Sequence, residues 1–168
     1  FFEPIAAASL DINTGAGNGN ILFTDTLTTV FDGELVSLGL TAGTGNITFD
    51  GAVTATSGEF DTITINTVNT VTINAPVTVG TFTQATAGTG TFDLNDTITV
   101  ETGALTINSA TVDLDGSIDT NGQLVNIDAG TGGLDLAATF NITTDGPCPR
   151  RSPSPTCGGR ISQSWASP

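Results

Sequence analysis

One seven-position pattern recurs along this chain: apolar, any, apolar, small or polar, any, any, apolar. It runs through Ile21, Phe23 and Leu27, then Ile47, Phe49 and Val53, then Val71, Ile73 and Val77. It continues through Phe92, Leu94 and Ile98, then Val112, Leu114 and Ile118, and ends with Leu134, Leu136 and Phe140. The first members lie 26, 24, 21, 20 and 22 residues apart. All eighteen positions are apolar in a chain that is 38% hydrophobic, so composition alone does not produce the repeat. A pattern with this period marks a stack of like units, none able to bury its own apolar face alone.

The residue after the second apolar position is Thr24, Asp50, Asn74, Asn95, Asp115 and Ala137 in turn. Asn and Asp bond their own backbone and turn the chain. Stacked one above another, such amides also form ladders. The following position is often small: Gly51, Ala75, Gly116, Ala138. Each unit therefore reads as a strand, a tight corner and a second short strand. A further alternating strand lies in most intervals, at Leu38 and Leu40, Ile63 and Ile65, Leu105 and Ile107, and Val125 and Ile127. The stretch Phe82-Thr83-Gln84-Ala85 fits that alternation less well. Thr44-Gly45, Thr89-Gly90 and Thr131-Gly132 mark corners.

These features predict an all-β chain folded as a right-handed parallel β-solenoid of about six coils. Ile, Val, Leu and Phe point inward, while Thr, Asp, Asn and Ser point outward. At a strand spacing of ~4.8 Å, six coils make a rod about 30 Å tall. A Greek-key β-sandwich is the alternative, but its hairpins call for two-residue turns such as Asn-Gly at fixed strand ends. Residues 1–20 are expected to form a partial first coil or cap, with a strand within residues 6–12. Residues 21–146 hold the coils. Residues 147–168 change to Pro, Ser and Arg and read as an irregular tail. Both cysteines, Cys148 and Cys157, lie there, either bonded to each other in a secreted protein or free.

The chain has 32 Thr and 21 Gly but no His, Lys, Tyr or Met. Its 17 acidic residues all lie between Glu3 and Asp145, and its three basic residues are Arg150, Arg151 and Arg160. The net charge of −14 repels phosphate backbones and anionic lipid, so neither nucleic acid nor a membrane surface is an expected partner. No apolar run is long enough to span a bilayer as a helix. The opening Phe-Phe-Glu-Pro, without Met or a basic leader, reads as a processed product or a piece of a longer protein.

Asn46-Ile47-Thr48-Phe49-Asp50-Gly51-Ala52-Val53 resembles the repeats of filamentous-haemagglutinin-like bacterial surface proteins. So do residues 89–96 and the stretch Leu105-Thr106-Ile107-Asn108, and the resemblance spans roughly residues 19–146. It implies long right-handed β-helices, extracellular or displayed on the cell surface, acting as adhesins or fibres. The family's repeats carry no catalytic residues.

Catalysis is not expected. Nucleophilic mechanisms need an activated Ser, Cys or Thr beside a base, and both His and Lys are missing. Asp113, Asp115 and Asp119 are the densest carboxylates, but alternation sets Asp113 and Asp115 on one solvated face. No cofactor is expected. No dedicated metal site is expected either; calcium, which takes six to eight oxygens, is the more reasonable ligand, with Asp93, Asp96, Asp113 and Asp115 as weak candidates. Gly43-Thr44-Gly45 and Gly88-Thr89-Gly90 lack the Lys of a phosphate loop.

The reading is therefore a structural, extracellular fibre or adhesin segment. Its expected partners are copies of itself stacked end to end, or neighbouring repeats of a longer chain. An ice-binding solenoid is one alternative, using outward Thr26, Thr28, Thr54, Thr78, Thr97 and Thr99. The equivalent positions elsewhere include Ala52, Pro76, Ser117, Asp119, Thr139 and Asn141, so the row is broken by Pro76 and ends in Asp and Asn. A module holding a surface glycan or receptor is the other alternative. It has little support, since aromatic residues usual at such sites fall inward here or, as Trp165, in the tail.

Overall fold

A computed structural model describes residues 8–28, 36–54, 60–144 and 160–161. The chain winds as a β-solenoid in which three short strands per turn feed three parallel sheets. Sheet A contains β1 (Ala8–Asn13), β4 (Val36–Thr41), β7 (Phe60–Thr67), β10 (Thr81–Gln84), the first half of β13 (Leu105–Leu114) and β15 (Val125–Asp128). Sheet B contains β2 (Ile21–Phe23), β5 (Ile47–Phe49), β8 (Val71–Ile73), β11 (Gly88–Leu94), the second half of β13 and β16 (Gly133–Leu136). Sheet C contains β3 (Leu27–Thr28), β6 (Val53–Thr54), β9 (Val77–Val79), β12 (Ile98–Val100), β14 (Ser117–Asp119) and β17 (Asn141–Thr143). Among the described residues each sheet thus has six rungs, with five complete turns from β1 to β15.

The repeat read from the sequence is the register of sheet B. Ile21, Ile47, Val71, Phe92, Val112 and Leu134 are successive partners. Phe23, Phe49, Ile73, Leu94, Leu114 and Leu136 form the adjoining inward row. Sheet C aligns Leu27, Val53, Val77, Ile98 and Ile118 in the same way. The sixth member of that row is Ile142 and not Phe140. In the last coil a turn closed by the Phe140 N–H on the Ala137 carbonyl adds two residues to the corner. Phe140 is consequently half-buried against the core's side.

The interval that alternated poorly is nevertheless a strand. Phe82 stacks between Ile63 and Leu105, and Gln84 pairs with Ile65 in an otherwise aliphatic inward row. All rung-to-rung pairings are parallel among the described residues, which excludes a sandwich of hairpins. Among the described residues, one antiparallel pair joins β17 to β18 (Arg160–Ile161), a short strand from the tail. Cys148, Cys157 and Trp165 lie outside the described residues.

Inward rows from rungs two to five supply nearly all of the buried apolar side chains. Phe49 stacks on Phe23 at 5.0 Å between ring centroids, and Phe82 meets Phe92 edge-on at 6.0 Å. Both arrangements suit the ring quadrupole. Like-on-like stacking puts side chains of matching shape one strand spacing apart, so the interior fills without interdigitating elements from elsewhere in the chain.

Candidate functional site

A rod of this kind offers chemistry on its flat faces, along its corners and at its two ends. The corner between sheets B and C is the most regular. Asn74 Nδ2 donates to Asp50 Oδ1 at 2.8 Å, and Asn95 Nδ2 donates to Asn74 Oδ1 at 2.9 Å. This is the amide ladder expected from the repeat. A second ladder, not foreseen, climbs the corner between sheets A and B. There Asn69 Nδ2 donates to Asn46 Oδ1 at 3.0 Å, Thr89 Oγ1 donates to Asn69 Oδ1 at 2.9 Å, and the Asn46 N–H donates to Asn20 Oδ1 at 2.8 Å. Asn20 and Asn46 both sit immediately before a sheet B strand, a signal available in the sequence.

The face of sheet B changes character along the rod. Its outward column reads Leu22, Thr48, Thr72, Asp93, Asp113, Asp135. Two of the four calcium candidates, Asp93 and Asp113, are thus neighbours in one column, continued by Asp135, which sequence reasoning missed. Asp115 lies just past Asp113 at the corner. Partial burial, and then the charges of Asp115, Asp135 and Asp93, push the Asp113 carboxyl above its ordinary pKa. Asp96 stands apart from the column, its Oδ1 accepting the Thr97 N–H at 2.7 Å within its own corner. Among the described residues no three His, Cys, Asp or Glu side chains gather as metal ligands would. The acidic column is spread along the rod by the strand spacing and does not converge on a point.

Sheet C carries the threonines of the ice-binding alternative. One outward column reads Thr28, Thr54, Thr78, Thr99, Asp119, Thr143. Its last member is Thr143, because the longer final corner shifts Asn141 into the neighbouring column with Ser117. That neighbouring column also holds Thr26 and Thr97 and is interrupted by Ala52 and Pro76. Thr139 falls in the turn of the final corner.

The ends differ from the middle in one respect. Leu10 and Leu134 belong to inward rows, yet they are 50% and 48% exposed, while their row-mates in rungs two to five are buried. Among the described residues, the first and last rungs therefore present half-exposed apolar rows. Beside the last rung, Gly122, Gln123, Leu124, Val125, Ile142 and Thr144 line an open hollow of about 580 Å³.

Compared with known proteins, the chain matches no family model, no curated protein and no solved structure.

Proposed function

We propose that this chain is a structural segment of an extracellular fibre or adhesin, a rigid rod lengthened by further rungs at its ends. The observation that carries this reading is the half-exposed inner row at both ends, Leu10 and Leu134, set against the buried rows between them. A solenoid's terminal rung leaves both apolar surface and main-chain edges without partners, and more rungs satisfy both at once. The partners in this reading are neighbouring repeats of a longer chain or copies of the same chain. Bundling of the sides is opposed by the net charge of −14. The resemblance to filamentous-haemagglutinin-like repeats supports a surface location. Immunogold labelling of intact cells that make the protein should decorate their exterior. Label appearing only after permeabilisation would overturn the extracellular assignment.

A second reading, ice binding through sheet C, is favoured by one observation: Thr143, not Asn141, completes its outward column, leaving Asp119 as the sole interruption among six positions. A thermal-hysteresis measurement at millimolar protein decides it, since no hysteresis removes the reading.

A further inference from the structure

We propose that copies of this chain join head to tail through sheets A and B, with β15 and β16 of one copy pairing in parallel with β1 and β2 of the next. This specifies the end contact within the fibre reading and commits it to a second copy of the chain.

The main chain sets the polarity. In a parallel ladder, alternate residues turn both their N–H and C=O to the same neighbour. The Leu105 N–H donates to the Leu124 carbonyl, so Leu124, Asn126 and Asp128 face back to β13, and Val125 and Ile127 face the open edge. At the other end the Thr14 N–H donates to the Thr41 carbonyl, so Leu10 and Ile12 face β4, and Ser9, Asp11 and Asn13 face the open edge. Every interior junction of sheet A is built the same way, with the inward residues of one rung bonding the outward residues of the next. Tail-to-head contact continues that pattern, with Val125 over Leu10 and Ile127 over Ile12. Sheet B repeats it. The Ala137 N–H donates to the Leu114 carbonyl, and the Asp50 N–H to that of Phe23, so Leu134 and Leu136 turn to the tail edge and Leu22 to the head edge, where no strand pairs with them among the described residues. Two heads or two tails would instead bring together edges of the same kind.

The side chains agree with this register. It places half-exposed Leu134 over Ile21 and Leu136 over Phe23, apolar on apolar. On the outer face it sets Asn126 over Asp11 and Asp128 over Asn13. Each is a carboxamide against a carboxylate, the pairing that Asn74 and Asp50 make at 2.8 Å within the rod. Asp135 falls over Leu22. None of these acids meets another acid across the joint, although the chain as a whole is strongly acidic. Sheet C stays out of the joint, because Ile142 at its tail edge is already paired with Ile161 of β18.

Two full-length variants test the proposal. Leu10→Lys places a charge on the head and leaves the tail intact. Ile127→Pro removes a main-chain donor from the tail edge without touching a bond to β13. Sedimentation velocity and negative-stain microscopy should show the unmodified chain forming rods whose lengths are multiples of one unit. Each variant alone should remain monomeric with an unchanged far-UV circular dichroism spectrum. Mixed, the two should form one-to-one dimers and nothing longer, because only one live tail and one live head remain. Unmodified protein that stays monomeric at high concentration overturns the proposal, as does either variant dimerising by itself. Surface labelling of cells is indifferent to all these outcomes, so this joint and the extracellular reading fail separately.

Discussion

At the scale of single residues, the stack is least tolerant where one rung's backbone touches the next. Gly51 and Gly116 occupy the same corner between sheets B and C, and a Cβ on either would run into the main chain of Asp25 or Asp96 in the rung beneath. Gly116→Val should therefore destabilise the fold by about 1–3 kcal/mol, the usual range for overpacking. Gly17→Ala, at a position open to solvent, should change it by less than about 0.5 kcal/mol. Urea titrations of the two variants measure the difference. Gln84 is the polar member of an aliphatic inward row, and its Nε2 is buried without a hydrogen-bond partner. A carboxylate there would be buried with no counter-charge, so Gln84→Glu should cost roughly 2–4 kcal/mol at neutral pH. Much of that loss should return as the group protonates on acidification, readable in melts at pH 7 and pH 4. Asp113 carries a milder version of the same conflict. Its folded pKa is raised, so the folded state holds that proton more tightly than the unfolded chain does. Its contribution to stability is greatest below the unfolded pKa and is lost as pH rises through the folded pKa. Asp113→Asn should raise neutral-pH stability by a few tenths of a kcal/mol. The variant should also weaken the fall of melting temperature as pH rises above the ordinary aspartate range.

At the scale of strands and corners, the ladders are the parts most open to test. Asn74 both donates and accepts along its corner, so Asn74→Ala removes two hydrogen bonds and should cost about 1–2 kcal/mol. Chemical denaturation of that variant beside Asn95→Ala, which loses the one bond to Asn74, separates the two contributions. The corners also explain what could be read from sequence. Between sheets B and C the spacing from second to third apolar residue is four positions in five of six coils, so the motif repeats visibly. The sixth adds two residues before Ile142, and reading it at the fixed spacing placed Phe140 in a row to which it does not belong. The other two corners vary more widely. β9 and β10 are separated by Gly80 alone, while β13 runs through the corner between sheets A and B without a break. A fixed period cannot follow such changes, and the ladder through Asn20, Asn46 and Asn69 is hidden in the same way, because Asn69 stands two residues before its strand where Asn20 and Asn46 stand one. Gln84 was obscure for another reason: a polar residue in an inward row breaks the pattern that identifies the row. The turn at Asn121-Gly122, with both residues at positive φ, is of the kind associated with hairpins but here reverses nothing, leading from sheet C into the next parallel rung.

At the scale of the whole molecule, six segments lie in register and in parallel, so distance along the rod counts rungs. The outward column of sheet B supplies the ruler. Leu22, Thr48, Thr72, Asp93, Asp113 and Asp135 are successive neighbours in space although more than twenty residues commonly separate them in sequence. The most direct measurement places pairs of spin labels at Leu22 and Asp113, and at Leu22 and Asp135, with Cys148 and Cys157 replaced by Ser. Pulsed electron resonance should give backbone separations of about 19 Å for four rungs and 24 Å for five, one strand spacing apart. Separations that fail to grow with rung number, or a broad distribution at either pair, would contradict the stack and the fibre proposal built on it.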